Sequence, residues 1–357
     1  MDQRIEDQAI ATLPVFFIIG RPRSGTTLLR LLFEAHPHVL IPPECPFIIS
    51  LYKKYFKEID WDEKLIREFS EDVYRQRYFD KWLVDKEVLY QNLLAGKGKT
   101  TFREMVKRVE LSYRSVYRKE ELRMIGDKNP AYSLYPGRIL RLFPDAKIIH
   151  ITRDYRDNYL SLINVNFEVP VVPLVIYRWK FAYRLMQKLK KQHPGQVYSM
   201  KYEDLATDPE KTFRDACAFL ELDFDPHVLS FYEKKEEVER SYAGSEEIAI
   251  VHKSLFNPIS TDRMELWKKQ MTPHQIRVAD LVAGKTAEKA GYGRQYPSFN
   301  IFLYLWILPT LVYASLMYRL IRMGDHLPYK WRNTLNKRLG IFLKLYWRFN
   351  KRKVKPL

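Results

Sequence analysis

The chain has 357 residues, 46% of them apolar, enough for a sizeable core in one large domain or two smaller ones, which excludes global disorder. Its two cysteines, Cys45 and Cys217, make no disulfide framework and have no metal-ligating partner at short spacing, so no metal site is expected. The net charge is +17, but residues 319–357 hold twelve Lys/Arg and one acidic residue, Asp325, which leaves +6 for residues 1–318. A basic excess confined to a tail beside an apolar run points to an anionic membrane surface and away from nucleic acid.

The first stretch, MDQRIEDQAIATLP, is acidic and lacks the apolar core of a signal peptide, so the catalytic part is expected in the cytoplasm. Next, VFFIIG (15–20) is a short apolar run closed by glycine and reads as a buried strand. TTLLRLLFEA (26–35) reads as a helix, apolar around most of its girth and therefore buried, and stopped by Pro37. Strand, glycine loop and buried helix open a parallel α/β sheet of the P-loop-like kind, flanked by helices. KIIHITR (147–153), QVYSMKY (196–202) and RMIGDK (123–128) supply further strands, with helical patterns near 132–142, 154–164 and 175–191 between and around them. Residues 47–122 are charged, rich in aromatics and free of proline, and read as a helical insertion, either with its own small core or as a cap over an acceptor pocket.

The loop between the first strand and helix, GRPRSGTT (20–27), resembles a nucleotide-triphosphate loop with Thr26 in place of the usual lysine. Backbone N–H groups at a helix start cradle phosphate, so Ser24, Gly25, Thr26 and Thr27 are candidate ligands. Without the lysine, and with no evident aspartate-ended strand for Mg²⁺, a β/γ-phosphate pair is poorly served. Arg23 offers a fixed guanidinium for one phosphate or sulfonate.

PRSGTTLLRLLFEAHP resembles the 5′-phosphosulfate loop of the sulfotransferases, which use 3′-phosphoadenosine 5′-phosphosulfate (PAPS). The pattern is closest to the tyrosylprotein and bacterial branch; the soluble small-molecule branch carries lysine where Arg23 stands. The similarity runs through 14–45 and 123–225, more weakly through 250–292, and not into the last sixty residues. The resemblance implies a 3′-phosphate site at Arg153 and Ser161, eight residues apart in HITRDYRDNYLSLI. It implies Glu44 as general base, at the matching position after A-H-P, with His36 as rival. Desolvation in the apolar Pro-rich stretch around Glu44 would raise its pKa toward working pH. Lys128, in GDKNP, resembles the lysine that approaches the transferring sulfonyl group, and with Arg23 it would act where other enzymes use a metal. Tyr202 resembles the tyrosine lining the adenosine site. In STDRMELW (260–267), Leu266 stands where the tyrosylprotein pattern often has lysine, and Lys253 or Arg263 is left to supply that cation.

Residues 295–318 contain no charge, and an eighteen-residue core from 301 would span roughly 27 Å as a helix, but Pro309 is expected to break it. Trp331, Leu335, Leu339, Phe342, Tyr346 and Phe349 then follow at helical spacing among basic residues, an interfacial pattern. The expected organisation is a catalytic domain over 1–295, with the insertion near 47–122, and a membrane-associating tail over 296–357, peripheral or monotopic. The expected activity is sulfonyl transfer from PAPS, leaving 3′-phosphoadenosine 5′-phosphate, to a hydroxyl of a lipophilic acceptor such as a sterol-like alcohol or a lipid. A carbohydrate or a protein tyrosine is the alternative acceptor. A degenerate P-loop kinase or NTPase and a non-catalytic nucleotide-binding membrane module are the alternatives of other kinds. The residues do not define an oligomeric state.

Overall fold

The computed structural model describes residues 7–163, 165, 168–234, 257–327 and 331. Five parallel strands form the central sheet: β1 (Val15–Gly20), β2 (Val39–Leu40), β3 (Met124–Lys128), β4 (Lys147–Thr152) and β5 (Val197–Lys201). Their spatial order is β2-β3-β1-β4-β5. β1 is therefore central, with Ile18 opposite Lys128 of β3 on one side and opposite Ile149 of β4 on the other. The chain leaves β1 toward β2 and leaves β4 toward β5, so the β1 and β4 loops diverge. That switch point is where open α/β sheets hold ligands.

β1 is a continuous apolar run because both its faces are covered. Its residues alternate between two cores, Phe17 and Ile19 on one face, Phe16 and Ile18 on the other. Helix α1 (Thr26–Ala35) fills the second core with Leu29, Leu32 and Phe33, and ends where His36 turns extended ahead of Pro37.

Four helices make up most of the insertion: α2 (Phe47–Tyr55), α3 (Glu63–Tyr74), α4 (Lys86–Leu94) and α5 (Phe102–Glu110). Asp62, Asp85 and Thr101 cap the last three, Thr101 in a reciprocal box with Glu104. Phe47, Tyr55 and Phe69 of these helices, with Phe79 and Trp82 of the 3₁₀ turn between α3 and α4, join Phe17 and Ile19 in one core. The insertion thus has no separate small core; it extends one face of the sheet, because α2 follows directly from the Glu44 loop.

The helix expected near 132–142 is split into a 3₁₀ turn, Pro130–Leu134, and a short helix, Pro136–Leu142, with a proline opening each. Beyond β4 lie α6 (Tyr155–Ile163), α7 (Val172–Gln192), α8 (Pro209–Leu220) and α9 (Pro273–Ala283). The apolar run forms α10 (Ile301–Met323), 23 residues without interruption. Pro309 does not break it, contrary to expectation: the proline sits on the exposed face, where water can take up the carbonyl it leaves unpaired. Of the expected amphipathic segment only Trp331 is described, and it is exposed; Leu335, Leu339, Phe342, Tyr346 and Phe349 lie outside the described residues.

Candidate active site

The loop after β1 is wound tightly and held from both sides. Gly25 has φ 89°, and a Cβ there would lie 2.6 Å from Cδ2 of Tyr202, so both conformation and space require glycine. Arg23 adopts φ 68°, an unusual left-handed conformation for a branchless but long side chain. Asn158 of α6 donates to the Pro22 carbonyl at 2.9 Å and to Ser24 Oγ at 3.2 Å, clamping the loop. Arg21 donates to Glu168 and to the Val175 carbonyl, each at 2.5 Å, and Glu168 also binds Arg178 of α7.

On the β4 side the expected ligands converge. Arg23 Nε donates to Ser161 Oγ at 3.0 Å, and Arg153 Nη1 donates to the Arg23 carbonyl at 3.2 Å. The Arg153 guanidinium lies 4.6 Å over the Tyr202 ring. Arg153 Nη2 reaches the Arg263 carbonyl at 2.5 Å, and Trp179 Nε1 holds the Arg153 carbonyl at 3.0 Å. Arg23, Gly25, Thr26, Thr27, Arg153, Ser161, Tyr202 and Arg263 all border one cavity, which continues along α6 into a space of about 570 Å³. Burial pushes Arg23 down to about 10, and the Arg263 and Arg153 charges act in the same direction. Three like charges around one cavity are relieved by an anion. Arg263 therefore stands where the late cation was sought; Lys253 lies outside the described residues.

On the β3 side Lys128 Nζ donates to Glu44 Oε2 at 2.9 Å. Lys128 is 4% exposed and Glu44 33%. The expected apolar surroundings of Glu44 are corrected here: a buried lysine and solvent meet its carboxylate. Several residues fix the strand leading to it. Glu34 accepts from the Ile41 amide at 2.8 Å, Arg30 donates to the Ile41 carbonyl at 2.9 Å, and Trp82 Nε1 donates to the Pro43 carbonyl at 2.8 Å. His36 is tied elsewhere: its Nδ1 accepts from the His38 amide at 3.2 Å and its Nε2 faces the Asp223 carbonyl at 2.9 Å. Burial lowers its pKa.

An aspartate does sit near the end of β3, which the sequence reading overlooked. Asp127 receives the Tyr132 hydroxyl, and burial pushes its carboxyl up to about 7, while Tyr132 and Lys128 act the other way. Glu110 beneath it is also pushed up, by burial first and by Asp127 second. Among the described residues no three His, Cys, Asp or Glu side chains form a metal-ligating group.

Two further residues went unnoticed in the sequence. Asp157 accepts from the Glu265 and Trp267 amides at 2.7 and 2.9 Å, pinning the 260–267 segment over the cavity. Asn158 clamps the loop as described. Their signal was positional: they follow Arg153 by one helical turn, on the turn that also leads to Ser161.

Fold and site define an α/β protein whose first loop has a carboxylate–lysine pair on one flank and arginines on the other. A family model described as "Sulfotransferase family" matches residues 14–226. The chain belongs to the sulfotransferase family, the PAPS-using enzymes that its motifs resemble. Among relatives, an uncharacterized protein of Aquifex aeolicus is 26% identical over 76% of this chain and 33% of its own length. The protein-tyrosine sulfotransferase of Drosophila melanogaster is 25% identical over 75% of this chain and 50% of its own. The chain thus spans a third to a half of these relatives. The sulfotransferase domain of the curacin biosynthetic pathway superposes with TM-score 0.51 at 18% identity, covering 79% of this chain and 99% of that domain. The sulfotransferase domain of the Synechococcus PCC 7002 olefin synthase gives 0.50 at 22% identity, covering 78% and 95%.

Proposed function

We propose that the protein transfers the sulfonyl group of PAPS to a hydroxyl of a lipophilic acceptor, a sterol-like alcohol or a lipid, with Glu44 as general base. The observation that carries this is the division of labour around one loop, three arginines bordering one cavity on its β4 flank and a carboxylate–lysine pair on its β3 flank. The cavity fits a nucleotide charged at both ends: Arg153 and Ser161 suit the 3′-phosphate, Arg23 and the amides from Ser24 to Thr27 the 5′ end, and Tyr202 the adenosine. The donor supplies an activated sulfonyl group. Glu44 takes the proton of the acceptor hydroxyl, Oε1 being the oxygen not bonded to Lys128. Lys128 and Arg23 stabilise the negative charge that gathers on the departing side. The exposed apolar face of α10 and the basic residues after it support membrane association, peripheral or monotopic, hence an acceptor met at a bilayer; a cytoplasmic site goes with this reading.

A protein tyrosine is the second reading, favoured by relatives named protein-tyrosine sulfotransferases. Incubating the full chain with radiolabelled PAPS and, in parallel, lipid extract, glycan extract and a tyrosine-containing peptide separates the two. Label in the lipid fraction is the expected result; label only in peptide or glycan overturns the lipophilic acceptor. PAPS binding with no transfer to any fraction would leave a non-catalytic module, and magnesium-dependent ATP turnover a kinase or NTPase.

A further inference from the structure

Helix α10 is divided lengthwise. Ile307, Ala314 and Tyr318 are buried, and Leu303 and Leu311 pack on the same core as α7 and α9. Tyr318 stacks on Tyr177 and Phe181 of α7, with ring centroids 6.2 and 5.5 Å apart. At its far end the Tyr135 hydroxyl donates to the Ile321 carbonyl at 3.4 Å, and Lys53 of α2 donates to the Leu327 carbonyl at 2.5 Å. The body therefore touches the helix along its whole length. The opposite face is largely exposed: Phe302, Val312, Leu316, Leu320 and Met323 face water, Phe302 at 82%, and Trp306, 67% exposed, keeps an edge contact with His274 of α9 at 5.6 Å. At 1.5 Å per residue that stripe is roughly 32 Å long, beyond what a monomer ordinarily shows to water.

By length and composition α10 is able to cross a bilayer, with mean hydropathy 1.7 over its best window. Its packing argues against that. A crossing helix that kept Tyr318 stacked on Tyr177 and Phe181 would carry the charged neighbours of Tyr318, Arg178, Glu168 and Arg21, into the hydrocarbon. A second copy of the chain is disfavoured by charge. Arg319 and Arg322, both exposed, flank the stripe, and the sequence beyond them is strongly basic, so a second copy would add like charge to like. An anionic surface neutralises the same residues.

We propose that α10 is an in-plane seat: its outer stripe lies in the headgroup–acyl boundary of an anionic bilayer, parallel to the surface, while its inner face stays on α7. This deepens the membrane association proposed above by fixing the pose. The basic end of the seat meets Lys53 and Tyr135, on the elements that follow Glu44 and Lys128, so the catalytic carboxylate's side of the molecule turns toward the bilayer.

Spin labels on the full-length variants Phe302→Cys, Val312→Cys and Met323→Cys test the pose by their depth in phosphatidylcholine vesicles containing about a third phosphatidylserine. The native Cys45 and Cys217 are buried and serve as the unlabelled background. Similar shallow depths at all three sites, with binding weakened in pure phosphatidylcholine, is the expected result. Trp306→Glu is expected to lower vesicle binding about tenfold or more, with nucleotide binding unchanged. A profile deepest at residue 312 would mean a crossing helix and overturn the seat. Labels that stay in water, or that approach their counterparts in a second copy, overturn it too. No acceptor enters the measurement, so its failure leaves the sulfonyl-transfer assay to stand or fall alone.

Discussion

The two flanks of the β1 loop are built on opposite electrostatic plans. On the β4 flank Arg23, Arg153 and Arg263 crowd one cavity; of the two acids that border its extension, Asp157 is spent on the amides of Glu265 and Trp267, and Asp262 accepts from Ser260 Oγ. On the β3 flank one buried lysine is matched by Glu44, over a bed of buried carboxyls, Asp127 and Glu110. Excess cationic charge fits a flank that binds a fixed polyanion. A balanced pair fits a flank where a proton must move and charge must change during the reaction. The lesson is that one loop can carry two electrostatic surroundings because the strands beside it differ.

Three substitutions separate the flanks. Glu44→Gln is expected to lower kcat about a hundred- to ten-thousandfold, while 3′-phosphoadenosine 5′-phosphate binds within about twofold of wild type in calorimetry. A matching loss of nucleotide affinity would erase the division. Arg153→Ala is expected to weaken that nucleotide about ten- to a hundredfold, yet to leave adenosine 5′-phosphosulfate, which lacks the 3′-phosphate, nearly unaffected. Equal weakening of both ligands would place Arg153 away from the 3′ end. The smallest effect concerns stability. The folded Asp127 carboxyl, at about 7, stands above its ordinary 3.8, so its stabilising contribution is full below the lower value and is lost as pH rises through the upper. Wild-type Tm should therefore fall from about pH 4 to about pH 7, and Asp127→Asn should flatten part of that fall. Parallel slopes in the two proteins would remove Asp127 from the account.

Much of the fold was legible because its signals are local. VFFIIG, KIIHITR and VYSMK are apolar or β-rich runs bounded by Gly, Pro or Asp, and TTLLRLLFEA is short and apolar between a glycine and a proline. Val39–Leu40 was not, since a two-residue edge strand has no periodicity to read. The loop motif brought Arg23, Arg153, Ser161 and Tyr202 together in prospect, and the four do border one cavity. Glu44 was named by its distance from a motif, but its partner surface was misjudged, because Lys128 arrives from a strand 84 residues later. Asp157 and Asn158 escaped for the same reason: their work is to hold backbone groups 108 and 136 residues away. Pro309 misled because propensity takes no account of which side of a helix faces the body.

The Arg21–Glu168–Arg178 cluster ties α10 to the loop after β1. Arg21 belongs to that loop, Arg178 to α7, and Tyr318 of α10 lies within electrostatic reach of both and of Glu168. Ending the chain ahead of Ile301 would strip the roof from this cluster and let water reach ions that are otherwise shielded. A truncation made for convenience of handling would therefore disturb the setting of the first loop as well as remove the proposed membrane seat.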